Sequence, residues 1–188
     1  YAMAIGLVGS EMCIRYRYRG LSSHGATIGI ILSIILYKIK YKYESVLWIF
    51  DRLVIVVALG GMLVRIGNFF NSEIVGNYTN SNFGVIFLNR SETLPRHPAQ
   101  LYESFGYLIL FIILYTLYHK TKLSAKKGFF FGFFLIFLFG VRFIVEYVKE
   151  SQGGIENYLG LLTTGQWLSI PFMLIGLIIL LRSNLKRI

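Results

Sequence analysis

Apolar residues dominate five stretches of the chain, 21–37, Val46–Phe70, 99–118, Phe129–Val148 and 166–181, and polar residues collect between them. Each stretch approaches the roughly 20 residues that a helix needs to cross a hydrocarbon core. None alternates apolar and polar positions as a membrane-barrel strand does. In lipid the backbone must then satisfy its own hydrogen bonds within helices. The pattern predicts an all-α, polytopic integral membrane helical bundle of about five complete transmembrane helices plus a partial N-terminal one. Residues 20–188 read as a single transmembrane domain and residues 1–19 as a partial or rearranged segment.

Composition strengthens this picture. Of 188 residues, 55% are hydrophobic and 15% charged, with a mean hydropathy of +0.62, which nearly excludes an ordinary soluble domain. The single Cys13 excludes a disulfide framework and a Cys-built metal site. A net charge of +10 would suggest nucleic acid in a soluble protein, but here the basic residues lie between apolar runs. Lys38, Lys40 and Lys42 follow the first span; Lys120, Lys122, Lys126 and Lys127 follow the third; Arg182, Lys186 and Arg187 follow the last. If successive spans alternate in direction, all three clusters fall on one face, which the positive-inside rule makes cytoplasmic. The loops 71–98 and 149–165 then face outward, and no nucleic-acid partner is expected. Residues 1–20 break the charge rule with Arg15, Arg17 and Arg19 beside an outward-facing helix start. The chain also opens without Met, and residues 12–15 resemble a translated sequencing-adapter scar, so a fragment containing a join is expected there. Cys13 lies in that segment and is no candidate nucleophile.

Polar residues within or beside the spans gather at the outward ends. His24 opens the first span; Arg65, Asn68, Asn71 and Glu73 close the second; Arg96, His97, Gln100, Tyr102 and Glu103 open the third. Arg142 and Glu146 close the fourth, and Thr164 and Gln166 open the fifth. Ionisable groups converging at one membrane depth form a site hypothesis. Arg65 and Asn68 at i,i+3, and Arg142 and Glu146 at i,i+4, each share a helix face. Two guanidinium groups at one depth suit an anionic phosphate. An Arg142–Glu146 pair alone fits a structural ion pair equally well. His24 could take a proton from a thiol or hydroxyl, or serve only in structure. His97, just before Pro98, reads as an N-cap-like residue. His119 reads as solvated, and Asp51 with Arg52 as a topology and packing feature. Gly60, Gly61, Gly128, Gly132 and Gly140 read as close helix contacts, and the aromatic run 129–139 as lipid-facing bulk. No metalloprotease, nucleophile-elbow or Walker motif is present. Without a protein nucleophile, group transfer would pass directly from donor to acceptor.

The run Arg65-Ile66-Gly67-Asn68-Phe69-Phe70-Asn71-Ser72-Glu73-Ile74-Val75-Gly76 resembles the signature of the prolipoprotein diacylglyceryl transferases, bacterial inner-membrane enzymes. Ser23-His24-Gly25, Arg96-His97-Pro98-Ala99-Gln100-Leu101-Tyr102-Glu103, Arg142-Phe143-Ile144-Val145-Glu146 and Gly165-Gln166-Trp167-Leu168-Ser169 resemble further segments of that family, in order. The resemblance covers residues 20–182 and looks closest to Bacteroidetes-like members. It implies transfer of the diacylglyceryl group of phosphatidylglycerol to the lipobox Cys thiol of a prolipoprotein, in a multi-pass inner-membrane enzyme. The active site would face the periplasm, with the C-terminus cytoplasmic. It further implies that Arg65 and Arg142 bind the phosphate, His24 accepts the thiol proton and Glu146 sets Arg142. Asn68 and Glu73 would orient headgroup hydroxyls, while Gly76 would allow close backbone approach. Asn71, His97, Gln100 and Tyr102 would complete the substrate contacts, and Tyr1 would match a Tyr on the family's first helix. No metal or cofactor is implied. The family's lead-in before the His-Gly segment is longer than the one here, so an inactive fragment is one alternative. A non-catalytic bundle that binds or transports anionic lipid is another.

Overall fold

A computed structural model describes residues 23–41, 45–150 and 162–185, with the side chains of 28–40, 45–150 and 162–183. The chain divides into two units, Tyr1–Val46 and Leu47–Ile188. The first contains helix α1, Ser23–Tyr41, over the first apolar stretch. The other helices are α2, Val46–Phe70; α3, Ala99–Lys120; α4, Phe129–Val145, continued by a 3-10 turn Glu146–Val148; and α5, Thr164–Leu185. Four described helices are long and apolar enough to cross a membrane: Val46–Phe70, Ala99–Lys120, Phe129–Val148 and Thr164–Ser183. Among the described residues the only extended pairing is three isolated bridges, so the architecture is a polytopic helical bundle.

The core of the second unit lies where Val54 and Ala58 of α2, Leu110 and Leu114 of α3, and Phe130, Phe134 and Leu135 of α4 meet. Only 17 to 33% of each span's apolar window is buried. Most of each helix surface, including Val56, Val64, Phe105, Ile112, Leu174 and Ile178, is thus left for lipid. The α4–α5 contact is the most extensive in the bundle, and two glycines allow it. A Cβ at Gly132 would stand 2.8 Å from the Gly176 carbonyl, and one at Gly176 would stand 2.9 Å from that of Gly132. This close approach is how helices gain dispersion energy where lipid removes the hydrophobic drive. Gly60 and Gly140 have open space around them, so the expectation of close packing fails at those two positions.

Asp51 ties α2 to α4. Its carboxylate, 3% exposed, accepts the backbone N–H groups of Gly128 at 2.5 Å and Phe131 at 2.8 Å. The first N–H groups of a helix have no intrahelical partner and carry the positive end of its dipole. Gly128, at φ +92°, supplies no capping side chain, and Asp51 caps α4 from another helix. Arg52 is held by the Trp48 carbonyl at 3.0 Å and lies over the Trp48 ring.

Candidate functional site

The exit of α2 carries the first site residues. Ser72 and Ile74 both have left-handed backbone, at φ 57° and 56°, which is costly for a β-branched Ile. Glu73, between them, donates its N–H to the Asn68 carbonyl at 2.9 Å. Its own carbonyl accepts the Gln100 side chain at 2.6 Å. Gln100 is 1% exposed, and its Oε1 has no protein partner. Asn71 and the Glu73 side chain are exposed, and Asn68 is half-buried.

Beyond this turn the loop threads between two other segments. Gly76 donates its N–H to the His97 carbonyl at 2.9 Å, and Asn77 donates to that of Val148 at 2.8 Å. A Cβ at Gly76 would stand 2.6 Å from the His97 carbonyl oxygen and 2.7 Å from that of Val148. The close approach expected at Gly76 is therefore made by the protein's own backbone. Arg96 pins the crossing. It is 4% exposed, donates to the Gly76 carbonyl at 3.1 Å, pairs with Glu92 at 2.5 Å and Glu150 at 3.2 Å, and covers the Tyr78 ring at 3.8 Å. Arg90 joins the same two carboxylates at 3.1 and 3.4 Å. Hydrogen bonding from Arg96 first, then the charges of Arg96 and Arg90, hold the Glu92 carboxyl below its ordinary range.

The expected His97 cap does not form. The α3 N-cap is Pro98, whose ring offers no side-chain hydrogen bond, and Ala99 donates its N–H to the His97 carbonyl at 2.9 Å. The helix thus starts one residue later than the spacing suggests. The His97 Nδ1 instead lies 3.3 Å from the Tyr102 hydroxyl. At the start of α5, Thr163 and Gln166 exchange side-chain and backbone hydrogen bonds at 3.1 and 3.3 Å, a capping box. Gln166 also donates to the Phe143 carbonyl at 3.3 Å, joining α5 to the last turns of α4.

A second charged cluster lies deeper, among α2, α3 and α4. Arg65 meets Glu103 at 2.6 Å, a close ion pair whose N–H is poorly aligned for a hydrogen bond. Glu103 is 1% exposed and also accepts from Lys149 at 3.4 Å. Lys149 in turn stands 3.6 Å from Glu146. One turn along α3 lies Tyr107, 4% exposed, whose ring would stand 3.3 Å from a Cβ at Gly61.

The expected Arg142–Glu146 pair is absent. Among the described residues no carboxylate lies within ion-pairing distance of Arg142. The backbone is not the cause, since the Glu146 N–H still donates to the Arg142 carbonyl as in an α-helix. Glu146 then begins a 3-10 turn, in which residues three apart stack, and its carboxylate lies 3.6 Å from Lys149. Among the described residues, Arg65 and Lys149 thus share the carboxylates of Glu103 and Glu146, and Arg142 pairs with neither. Glu103 belonged to the polar set opening the third span, but its pairing with Arg65 was not foreseen. Lys149 is a candidate site residue that sequence reasoning missed, since it read only as a loop charge. Tyr1 lies outside the described residues. His24 is the second residue of α1, and its side chain lies outside the described ones.

A family model described as prolipoprotein diacylglyceryl transferase matches residues 9–182. The phosphatidylglycerol–prolipoprotein diacylglyceryl transferase of Tolumonas auensis is 48% identical over 164 residues, 87% of this chain and 62% of that protein. The protein of the same name from Bacteroides fragilis is 43% identical over 85% of this chain and 57% of its own length. That of Chloroherpeton thalassium is 38% identical over 90% and 63%. Identity therefore does not rank the Bacteroides relative first among these. The chain spans about three fifths of the length of the curated relatives it matches.

Proposed function

Because the chain belongs to the prolipoprotein diacylglyceryl transferase family, we propose that it moves the diacylglyceryl group of phosphatidylglycerol to the lipobox Cys thiol of a prolipoprotein. In this reaction the thiol sulfur attacks the glyceryl carbon bonded to the phosphate oxygen. The C–O bond breaks, a thioether forms, and glycerol phosphate leaves with the electron pair. Negative charge grows on the departing phosphate, so fixed cations placed before the reaction lower the barrier.

The observation that carries this reading is the buried layer in which Arg65 is paired with Glu103 while Arg142 has no carboxylate among the described residues. A site with one cation in excess takes an anion without first breaking an internal pair. Arg65 and Arg142 hold the phosphate. His24 accepts the thiol proton. Glu73 and Asn68 orient headgroup hydroxyls, and the unpartnered Gln100 Oε1 is a further acceptor for one of them. Asn71, His97, Tyr102 and Tyr1 complete the substrate contacts. The basic clusters Lys120–Lys127 and Arg182–Arg187 support an orientation with the α2 exit on the periplasmic side of the inner membrane and the C-terminus in the cytoplasm.

The test is transfer of labelled diacylglycerol from phosphatidylglycerol to a lipobox peptide by the full-length protein in proteoliposomes. Thioether-linked label on the peptide Cys is expected. Phosphatidylglycerol binding without transfer would replace this reading with a lipid-binding bundle.

A further inference from the structure

Glu146 lies four residues after Arg142, the spacing at which a carboxylate neutralises an arginine on the same helix face. Such a pair would occupy the guanidinium that the phosphate needs. Two features hold the carboxylate elsewhere. Lys149, 7% exposed, attracts it at 3.6 Å while donating to Glu103 at 3.4 Å. On the other side stands Gly165, where a methyl group would overlap the Glu146 carboxyl. The missing side chain at Gly165 is the space that the carboxylate fills, and the capping box of α5 fixes that backbone in place.

Resting on the transferase reading above, we infer that Lys149 and Gly165 are positioning residues that draw the Glu146 carboxylate away from Arg142, keeping that guanidinium open for the phosphate of the lipid donor. Lys149 touches no part of the proposed lipid contact. It acts through Glu146, and Gly165 acts by leaving room. A carboxylate released from this place would return to Arg142 and compete with the phosphate.

Two kinds of variant separate this from loss of structure or loss of local charge. Gly165→Ala changes no charge and displaces the carboxylate by volume. It is expected to weaken equilibrium binding of short-chain phosphatidylglycerol to the full-length protein in micelles about tenfold, equivalent to ~1.4 kcal/mol. In a Glu146→Gln background the same Gly165→Ala change is expected to alter binding less than about twofold, because an amide competes weakly for guanidinium. An equal loss in both backgrounds would overturn the inference. Lys149→Met should raise the KM for phosphatidylglycerol more than it lowers kcat, with Lys149→Arg restoring the KM. An experimental structure of Lys149→Met should bring the Glu146 carboxylate beside Arg142, and a carboxylate still seated against Gly165 would overturn the inference even if Gly165→Ala does not fold. Failure of the wild-type protein to bind phosphatidylglycerol would instead sink the transferase reading.

Discussion

Two clusters of charge sit on consecutive residues of one segment, Lys149 and Glu150, yet they are built to opposite ends. In the loop cluster Arg90 and Arg96 meet Glu92 and Glu150, and Arg96 also covers Tyr78 and holds the Gly76 carbonyl. Both cations are matched by carboxylates, and the geometry joins three stretches of backbone. In the deeper cluster Arg65 and Lys149 meet Glu103 and Glu146, and Arg142 has no carboxylate among the described residues. The difference shows how charge near a membrane divides its work. A neutralised set fixes a loop, and an unbalanced set is ready for an anion.

Breaking the unbalanced cluster should have the largest effect. Arg142→Ala or Arg65→Ala should lower diacylglyceryl transfer by about 100-fold or more, the scale of losing a charge-stabilising donor, while membrane insertion persists. Wild-type turnover by either variant would show that the phosphate site is misassigned. Arg96→Met breaks the balanced cluster and should act on stability, costing about 1–3 kcal/mol by leaving the buried Gly76 carbonyl unpaired. Thermal unfolding in detergent, compared with the KM for phosphatidylglycerol, separates the two classes of effect.

The helices were largely legible in the sequence because lipid leaves the backbone one solution. The stretch Val46–Phe70 is α2 to the residue, and Phe129–Val148 is α4 with its 3-10 turn. Arg65 and Arg142 were also legible, since charge inside an apolar run is rare enough to stand out. Their partners were not. The i,i+4 spacing assigns Glu146 to Arg142, and nothing local reveals that the helix tightens at Glu146 and puts Lys149 above it. Asp51 looked like a packing feature because the N–H groups it caps lie 77 and 80 residues away. The role of Arg96 was hidden in part in the same way, since of its partners only Glu92 is near in sequence, while Gly76, Tyr78 and Glu150 are 20, 18 and 54 residues away.

Asp51→Ala sharpens the comparison from the opposite end of α2. Removing the cap from α4 should cost about 1–2 kcal/mol and leave the KM for phosphatidylglycerol unchanged. A rise in KM would mean that the two ends of α2 are coupled. The smallest effect concerns acid. Arg96 and Arg90 lower the folded-state pKa of Glu92 below the ordinary carboxylate range, so its contribution to stability is present above that range and lost as pH falls through the folded pKa. The unfolding temperatures of the wild type and Glu92→Gln should therefore differ at neutral pH and converge as the pH falls through the lowered pKa of Glu92. A gap that widens on acidification would contradict the assigned direction.

The central claim is that the deeper cluster takes the lipid phosphate and the loop cluster does not. Equilibrium binding of short-chain phosphatidylglycerol to folded Arg142→Ala and Arg96→Met variants of the full-length protein tests it most directly. Arg142→Ala is expected to lose most of the affinity while Arg96→Met stays within about twofold of wild type. Equal loss in the two variants, or loss in Arg96→Met alone, would contradict it.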